Sequence, residues 1–170
     1  MSIANRLSPR ASHAGSTMIE TLVALLILAV GLLSIQAMQL VSLRTNTSSY
    51  LRTEAQLLAE DITDRILAYE DITDPADNDD YDGIDTDNGA ADPGCGVVGC
   101  TQAQQLALDT FEWKTEIESR LPGGRGTVVF NAGAYDLTVM WDNDKTGANG
   151  TGCSGNTDVD LTCYTVQLNL

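Results

Sequence analysis

The hydrophobic and polar residues fall in blocks that indicate where the chain changes environment. Residues 21–43 form a run of 23 positions without a charge, and residues 22–33 are apolar apart from Gly31. A helix of this length and composition can cross the hydrocarbon core of a bilayer. We therefore predict a transmembrane helix over residues 16–43, with Glu20 as the single acid at its edge.

The same helix is predicted to continue as an amphipathic half over residues 44–70. Apolar residues recur there at spacings of three and four, which places them on one helix face: Leu51, Ala55, Leu58, Ile62, Ile66 and Tyr69. Asp61 and Arg65 stand four residues apart with the acid first, the favourable order for an ion pair. A break near residues 45–49 is the alternative, because β-branched and small polar residues lower helix propensity there.

The remaining chain, residues 71–170, is predicted to form a globular head. Residues 71–99 are rich in Asp, Gly and Asn without a basic residue, and are expected to be a long loop. Thr101 and Gln104 have capping-box spacing, so a second helix should begin there and stop at Pro122. Its predicted buried face comprises Leu106, Thr110, Trp113, Ile117 and Leu121.

Alternating apolar residues after this helix predict strands. Residues 127–131 and 135–141 should form a hairpin through Ala132 and Gly133, and residues 163–170 a last strand. The inward-facing residues would be Tyr135, Leu137, Val139, Trp141, Tyr164, Val166, Leu168 and Leu170. The predicted fold class is α+β: a long N-terminal helix packed on a small antiparallel sheet of three or four strands. Trp113 and Trp141 are assigned to its core.

Charge and residue types exclude several functions. The formal net charge is −15, and an acidic chain repels the phosphate backbone, so we expect no nucleic-acid partner. The single histidine, His13, precedes the apolar run, no serine has a nucleophile-elbow setting, and the acids cluster in a loop. We expect neither enzymatic activity nor a cofactor.

Two acidic stretches partly match calcium-binding loops. Asn78, Asp80, Asp82 and Gly83 have the spacing of the first half of an EF-hand loop, but its twelfth position is Gly89 instead of a bidentate glutamate. A second partial match has the same defect and consists of Asp142, Asp144, Thr146 and Gly147. Solvated acidic loops are commoner than calcium sites, so no metal site is predicted.

The four cysteines all follow the apolar run, on the side expected to be exported. An oxidising location favours disulfides, and four cysteines allow three pairings. The sequential pairing, Cys95 with Cys100 and Cys153 with Cys163, is our preferred expectation. Zinc is disfavoured because Cys153 and Cys163 do not form a second matching knuckle.

The N-terminal residues carry a motif with three independent parts. Arg6 and Arg10 form a basic leader that ends at Gly15, and Glu20 is the fifth residue after that glycine. The long apolar run surrounds this acid. Together these features resemble the class III signal and N-terminal helix of type IV prepilins, with Ser16 in place of the more usual aromatic or methionine.

This resemblance implies processing and assembly. Residues 1–15 would be removed by a prepilin peptidase after Gly15, Ser16 would be methylated, and Glu20 would dock the subunit onto a neighbour. The basic leader keeps the N-terminus cytoplasmic and the head periplasmic until the subunit leaves the inner membrane for the pilus.

Further segments resemble the minor pilin family of type IV pilus modification proteins (PilV). These are "AVGLLSIQAMQ", "RTEAQLLAEDITDRI", "ALDTFEWKTEIESRLPGG" and "YDLTVMWDN". The resemblance implies a subunit that primes pilus growth and supports twitching motility and adhesion. Its implied partners are other minor pilins, the major pilin and the inner-membrane assembly platform. A type II secretion minor pseudopilin and a tip adhesin with a calcium-dependent acidic loop are the alternatives.

Overall fold

The computed structural model describes residues 18–69, 79–97 and 99–169. Its elements are the helices α1 (Met18–Tyr69) and α2 (Gln102–Arg120) and the strands β1 (Ile84–Asp85), β2 (Arg125–Asn131), β3 (Ala134–Trp141) and β4 (Thr162–Asn169). The chain divides into two compact units, Met1–Arg44 and Thr45–Leu170. The predicted α+β class is confirmed: a long, apolar N-terminal helix packs on a four-stranded antiparallel sheet.

Helix α1 includes residues 45–49, so the alternative of two separate helices is wrong. In the second unit its buried residues are Leu51, Ala55, Leu58, Ala59, Ile62 and Ile66. This is the apolar stripe predicted from the spacing, with Ala59 added and Tyr69 only partly buried. This face is buried because it packs against the head. Such packing provides most of the stability of an amphipathic helix.

Helix α2 begins and ends where its flanking residues predict. The Thr101 hydroxyl accepts a hydrogen bond from the Gln104 backbone N–H, and the Gln104 side chain accepts one from the Thr101 backbone N–H. This reciprocal pair satisfies two backbone donors that a helix start otherwise leaves unbonded. Trp113 and Ile117 are fully buried, and the Trp113 indole N–H donates to the Leu58 carbonyl at 2.9 Å.

The sheet has the strand order β1-β2-β3-β4, and all its pairs are antiparallel. Strands β2 and β3 are joined by Ala132 and Gly133, both with positive φ, as a two-residue hairpin turn requires. The inward face predicted for β3 is confirmed, because Tyr135, Leu137, Val139 and Trp141 are all buried, although Met140 on the other face is buried as well. In β4, Tyr164, Val166 and Leu168 are partly buried against the same core, while Leu170 lies outside the described residues.

The acidic segment differs from its sequence prediction. Residues 79–88 include strand β1 and a 3-10 helix, Thr86–Asn88, instead of forming only a loop. Tyr81, Ile84 and Thr86 are buried, whereas the acids around them are exposed or half-buried. A two-residue strand is too short to show alternation, so no periodic signal marked it in the sequence.

Candidate functional site

The apolar half of α1 has the composition of a membrane span. Its most apolar 18-residue window has a mean hydropathy of 2.5, and none of that window is buried in the protein. By length and composition this helix could cross a membrane. The hydroxyls of Thr21 and Ser34 donate to the backbone carbonyls of Met18 and Val30, both at 2.9 Å, so each has a hydrogen-bond partner within the helix. Such bonds reduce the cost of placing a hydroxyl in lipid.

Of the predicted processing and docking residues, Glu20 is the one within the described part of the chain. Glu20 is exposed in the first described turn of α1 and is the only charged residue in 18–43. Gly15 and Ser16, the predicted cleavage and methylation residues, lie outside the described residues. The exposed large side chains after Glu20 are apolar and include Leu22, Leu25, Leu26, Leu32 and Leu33.

The four cysteines form two disulfides, Cys95–Cys100 and Cys153–Cys163, which is the sequential pairing. The first bond joins Cys95 to Cys100 and so holds the end of the acidic segment close to the start of α2. Cys95 itself is buried. The second bond joins the loop before β4 to the strand itself. The Asp160 carboxylate accepts hydrogen bonds from Ser154 in that loop, and these lower the pKa of Asp160.

In each of the two partial calcium motifs, an aspartate accepts hydrogen bonds from the backbone of the protein itself. Asp82 accepts a hydrogen bond from the Phe130 backbone N–H at 2.7 Å, so it fixes the acidic segment to β2. Asp142 accepts from the backbone N–H groups of Thr146 and Gly147 at 3.1 and 2.8 Å, closing a turn. Asn78 is not among the described residues. Within the described ranges, no three acidic, histidine or cysteine side chains converge as metal ligands would.

An ion-pair cluster that the sequence did not predict is centred on Arg65. Its Nε contacts Asp61 at 3.0 Å, the predicted pair, while its Nη1 contacts Asp109 at 3.0 Å and Glu112 at 2.7 Å. The other Asp109 oxygen accepts the Tyr81 hydroxyl hydrogen bond at 2.7 Å. One cation on α1 is therefore bonded to two acids on α2, and one of these is bonded to the acidic segment.

The electrostatics of this cluster follow from burial and charge. Burial alone would lower the pKa of Arg65, but the hydrogen bond to Glu112 and the charges of Asp61 and Asp109 outweigh it and raise that pKa. Burial, and then the hydrogen bond to Asp109, raise the pKa of the Tyr81 phenol. At neutral pH the cluster thus keeps a charged guanidinium and a neutral phenol.

Sequence reasoning missed Asp109 because it places an acid on the buried face of α2. Its spacing of four from both Gln105 and Trp113 was the available signal, and the Gln105 amide indeed donates to it at 3.0 Å. A shallow cleft of about 240 Å³ beside the cluster is lined by Arg65, Ala68, Tyr69, Gln105 and Asp109. The hydrogen bonds of Arg65 and Asp109 connect α1, α2 and the acidic segment, so we interpret the cluster as structural.

Comparison of the chain with protein-family models, curated proteins and solved structures gave no match.

Proposed function

We propose that this protein is a minor pilin of a type IV pilus, held in the inner membrane by residues 16–43 until it joins the filament. The observation that carries the proposal is the position of Glu20. Residues 18–43 of α1 are exposed, and Glu20 is the only charged residue among them. It follows Gly15 by five residues. The α+β head and the resemblance to prepilin signals support the same function.

A carboxylate among apolar side chains is stabilised by a nearby positive charge. An ionised acid costs about 2.5 to 3.5 kcal/mol at the centre of a membrane helix on insertion scales, and less near the helix end, where Glu20 lies. Cleavage after Gly15 would create a positive amine on Ser16, and that amine on one subunit would meet Glu20 of the next. In a low dielectric this pair is far more favourable than two separated charges, and it sets the axial position of each subunit.

In this proposal the head remains periplasmic while the helix is in the membrane. Other minor pilins, the major pilin and the assembly platform are its partners, and it primes growth near the filament tip. The disulfides suit this exported location, because disulfides form and persist outside the reducing cytoplasm.

The first test is mass spectrometry of the protein isolated from its own cells. The expected mature chain begins at Ser16 with a methylated amine. A chain that still begins at Met1 would contradict the proposal, since Ser16 would then have no terminal amine to pair with Glu20 of the next subunit.

The second test compares Glu20→Ala with Thr21→Ala. The Thr21 hydroxyl bonds to its own helix, so its loss is expected to leave assembly unchanged. Glu20→Ala is expected to abolish co-purification with other pilins without lowering the amount of membrane-inserted protein. Assembly at the wild-type level in both variants would contradict the proposal.

A deletion strain separates the pilus from a type II secretion system. Loss of twitching motility with normal secretion is expected. Loss of secretion with normal motility would assign the protein to the secretion system instead. Calcium-dependent adhesion that is lost when Asp79 and Asp80 are both replaced by alanine, with pilus assembly retained, would indicate a tip adhesin.

A further inference from the structure

Strand β4 forms an open edge of the sheet. Among the described residues its one strand neighbour is β3. Its eight residues, TCYTVQLN, contain neither proline nor charge. Exposed edges are usually protected from other chains by charged residues, proline, bulges or short length. Strand β4 has neither a charged residue nor a proline, and it is as long as β3.

The opposite edge is closed by the acidic segment. Outer backbone groups of β2 bond to this segment at three positions: the Gly126 N–H donates to the Thr86 hydroxyl at 2.9 Å, the Val128 carbonyl accepts from the Gly83 N–H at 3.1 Å, and the Phe130 N–H donates to Asp82 at 2.7 Å. Within the described ranges, the outer side of β2 is therefore covered by β1 and its flanking residues, whereas the outer side of β4 carries no strand.

The register identifies the backbone groups on the open edge. In a two-residue hairpin the flanking residues, Asn131 and Ala134, form a hydrogen-bonded pair, and the bonding direction then alternates along β3. The residues of β3 that bond toward β4 are those paired with 162, 164, 166 and 168. The N–H and C=O groups of Thr165, Gln167 and Asn169 consequently point outward, and no hydrogen bond from the described part of the chain reaches them.

Geometry and charge together specify what fits this edge. A row of alternating N–H and C=O groups at strand spacing is matched by another extended backbone. Residues 45–170 carry 23 acidic and six basic residues, whereas β2, β3 and β4 together contain one acid, Asp136, and one base, Arg125. The Asp136 carboxylate accepts a hydrogen bond from the Gln167 side chain at 3.1 Å. An acidic strand, or a second copy of this acidic head, would be repelled.

We propose that the open edge of β4 binds an extended, non-acidic strand of a different protein, which adds a fifth strand to the sheet. Backbone hydrogen bonds to Thr165 and Gln167 hold the incoming strand, and the negative head favours lysine or arginine on it. The inference is independent of the function proposed above, because it concerns the sheet edge and not the helix.

The binding test uses the full chain in detergent micelles and two synthetic eight-residue peptides. Both copy β4 with Cys163→Ser; one has lysine at the positions of 165 and 167 and the other has glutamate. The lysine peptide is expected to bind and to protect the Thr165 and Gln167 amides from hydrogen exchange. The glutamate peptide is expected to bind about tenfold more weakly or not at all. Equal binding of the two peptides would overturn the charge argument.

Two variants test the backbone contact itself. Thr165→Pro removes an outward N–H and leaves the bonds between β3 and β4, whereas Thr165→Val keeps the N–H and removes the hydroxyl. The proline variant should bind the lysine peptide about tenfold more weakly, and the valine variant like the wild type. Equal binding by both variants would overturn the proposal.

Two further measurements keep this test interpretable. Retained exchange protection at Tyr164 and Val166 shows that the sheet is intact in Thr165→Pro. If that protection is lost, the binding test uses Gln167→Pro instead, because position 167 is nearer the strand end. Protection of the Thr165 amide in the chain alone, falling on dilution, would mean that a second copy occupies the edge. That result would overturn the choice of partner.

Discussion

Arg65 on α1 and Asp109 on α2 are 44 positions apart in the sequence and are joined by a 3.0 Å ion pair. The Asp109 side chain is 7% exposed, while that of Arg65 is 23% exposed. The acid therefore depends on Arg65, Tyr81 and Gln105 for the interactions that water would otherwise provide. Three segments that are distant in sequence are thereby bound at one point.

Replacing Arg65 with leucine is expected to destabilise the head strongly. Asp109 would remain buried without a cation, which should lower the free energy of unfolding by about 2 to 3 kcal/mol, less than for a fully buried pair because Arg65 is partly exposed. Chemical denaturation measures the change. Arg120→Leu is the control, since Arg120 is itself half-exposed and pairs with an equally exposed Glu116 at 2.8 Å and more distantly with Glu54 at 3.6 Å, so its loss should cost about 1 kcal/mol or less. Equal losses in the two variants would contradict a special role for Asp109.

Ionisation of the Tyr81 phenol is expected to lower the free energy of unfolding at alkaline pH. Its pKa is raised above the ordinary value of 10.0, so its contribution is complete below pH 10 and is lost as the pH rises through the higher folded value. Tyr81→Phe should lose about 1.5 to 3 kcal/mol near pH 7, because Asp109 loses a hydrogen-bond donor. Above pH 10 the variant should lose less additional stability than the wild type, by up to about 1.4 kcal/mol per pH unit.

Urea denaturation at several pH values between 8 and 11.5 checks this dependence. Tyr164→Phe, which changes a partly buried tyrosine of β4, is the matched control. Parallel pH curves for the wild type and Tyr81→Phe would contradict the prediction.

Gly126 is expected to tolerate no side chain. A Cβ at this position would overlap the Trp113 ring and lie 2.7 Å from the Ile117 Cδ1 atom. Since both are fully buried, Gly126→Ala should cost about 1 to 3 kcal/mol through overpacking. Thermal unfolding measures the loss. Gly96→Ala serves as the comparison because no atom lies within 4 Å of its Cβ position, and a loss of similar size there would refute the packing explanation.

The two disulfides are expected to contribute unequally. They close loops with sequence separations of 10 and 5, and the longer loop restricts the unfolded chain more. Replacing Cys153 and Cys163 with alanine should cost about 2.7 kcal/mol, against about 2 kcal/mol for Cys95 and Cys100, on the chain-entropy relation. Denaturation of the two double variants checks the order, which would be reversed if burial of Cys95 dominated.

The sequence predicted those elements that carry a repeated or local signal. The spacing of Leu51, Leu58 and Ile62 marked the buried face of α1, and Thr101 with Gln104 marked the start of α2. Ala132 and Gly133 marked the hairpin between two alternating strands. Each of these signals lies within a few residues of the feature it predicts, which is why it is readable without a structure.

What the sequence did not predict depends on contacts between distant residues. Strand β1 exists because Ile84 pairs with Val128, and the short segment itself carries no periodic pattern. Likewise, Asp109 is one acid among 24 until folding brings it to Arg65. Non-local pairs of this kind are set by the tertiary structure, and local propensity does not encode them.

The hydrogen bond from the Trp113 indole to the Leu58 carbonyl has a mechanical consequence. Trp113 is fully buried and packs closely over Gly126, so its indole bonds to the α1 backbone from a fixed position. Sliding α1 by one turn, about 5.4 Å, would break this bond and move the apolar stripe out of register with the core. Tension applied along the amphipathic half of α1 would therefore be transmitted to the sheet as shear. This half of the helix and the sheet would move together until the core itself unfolds.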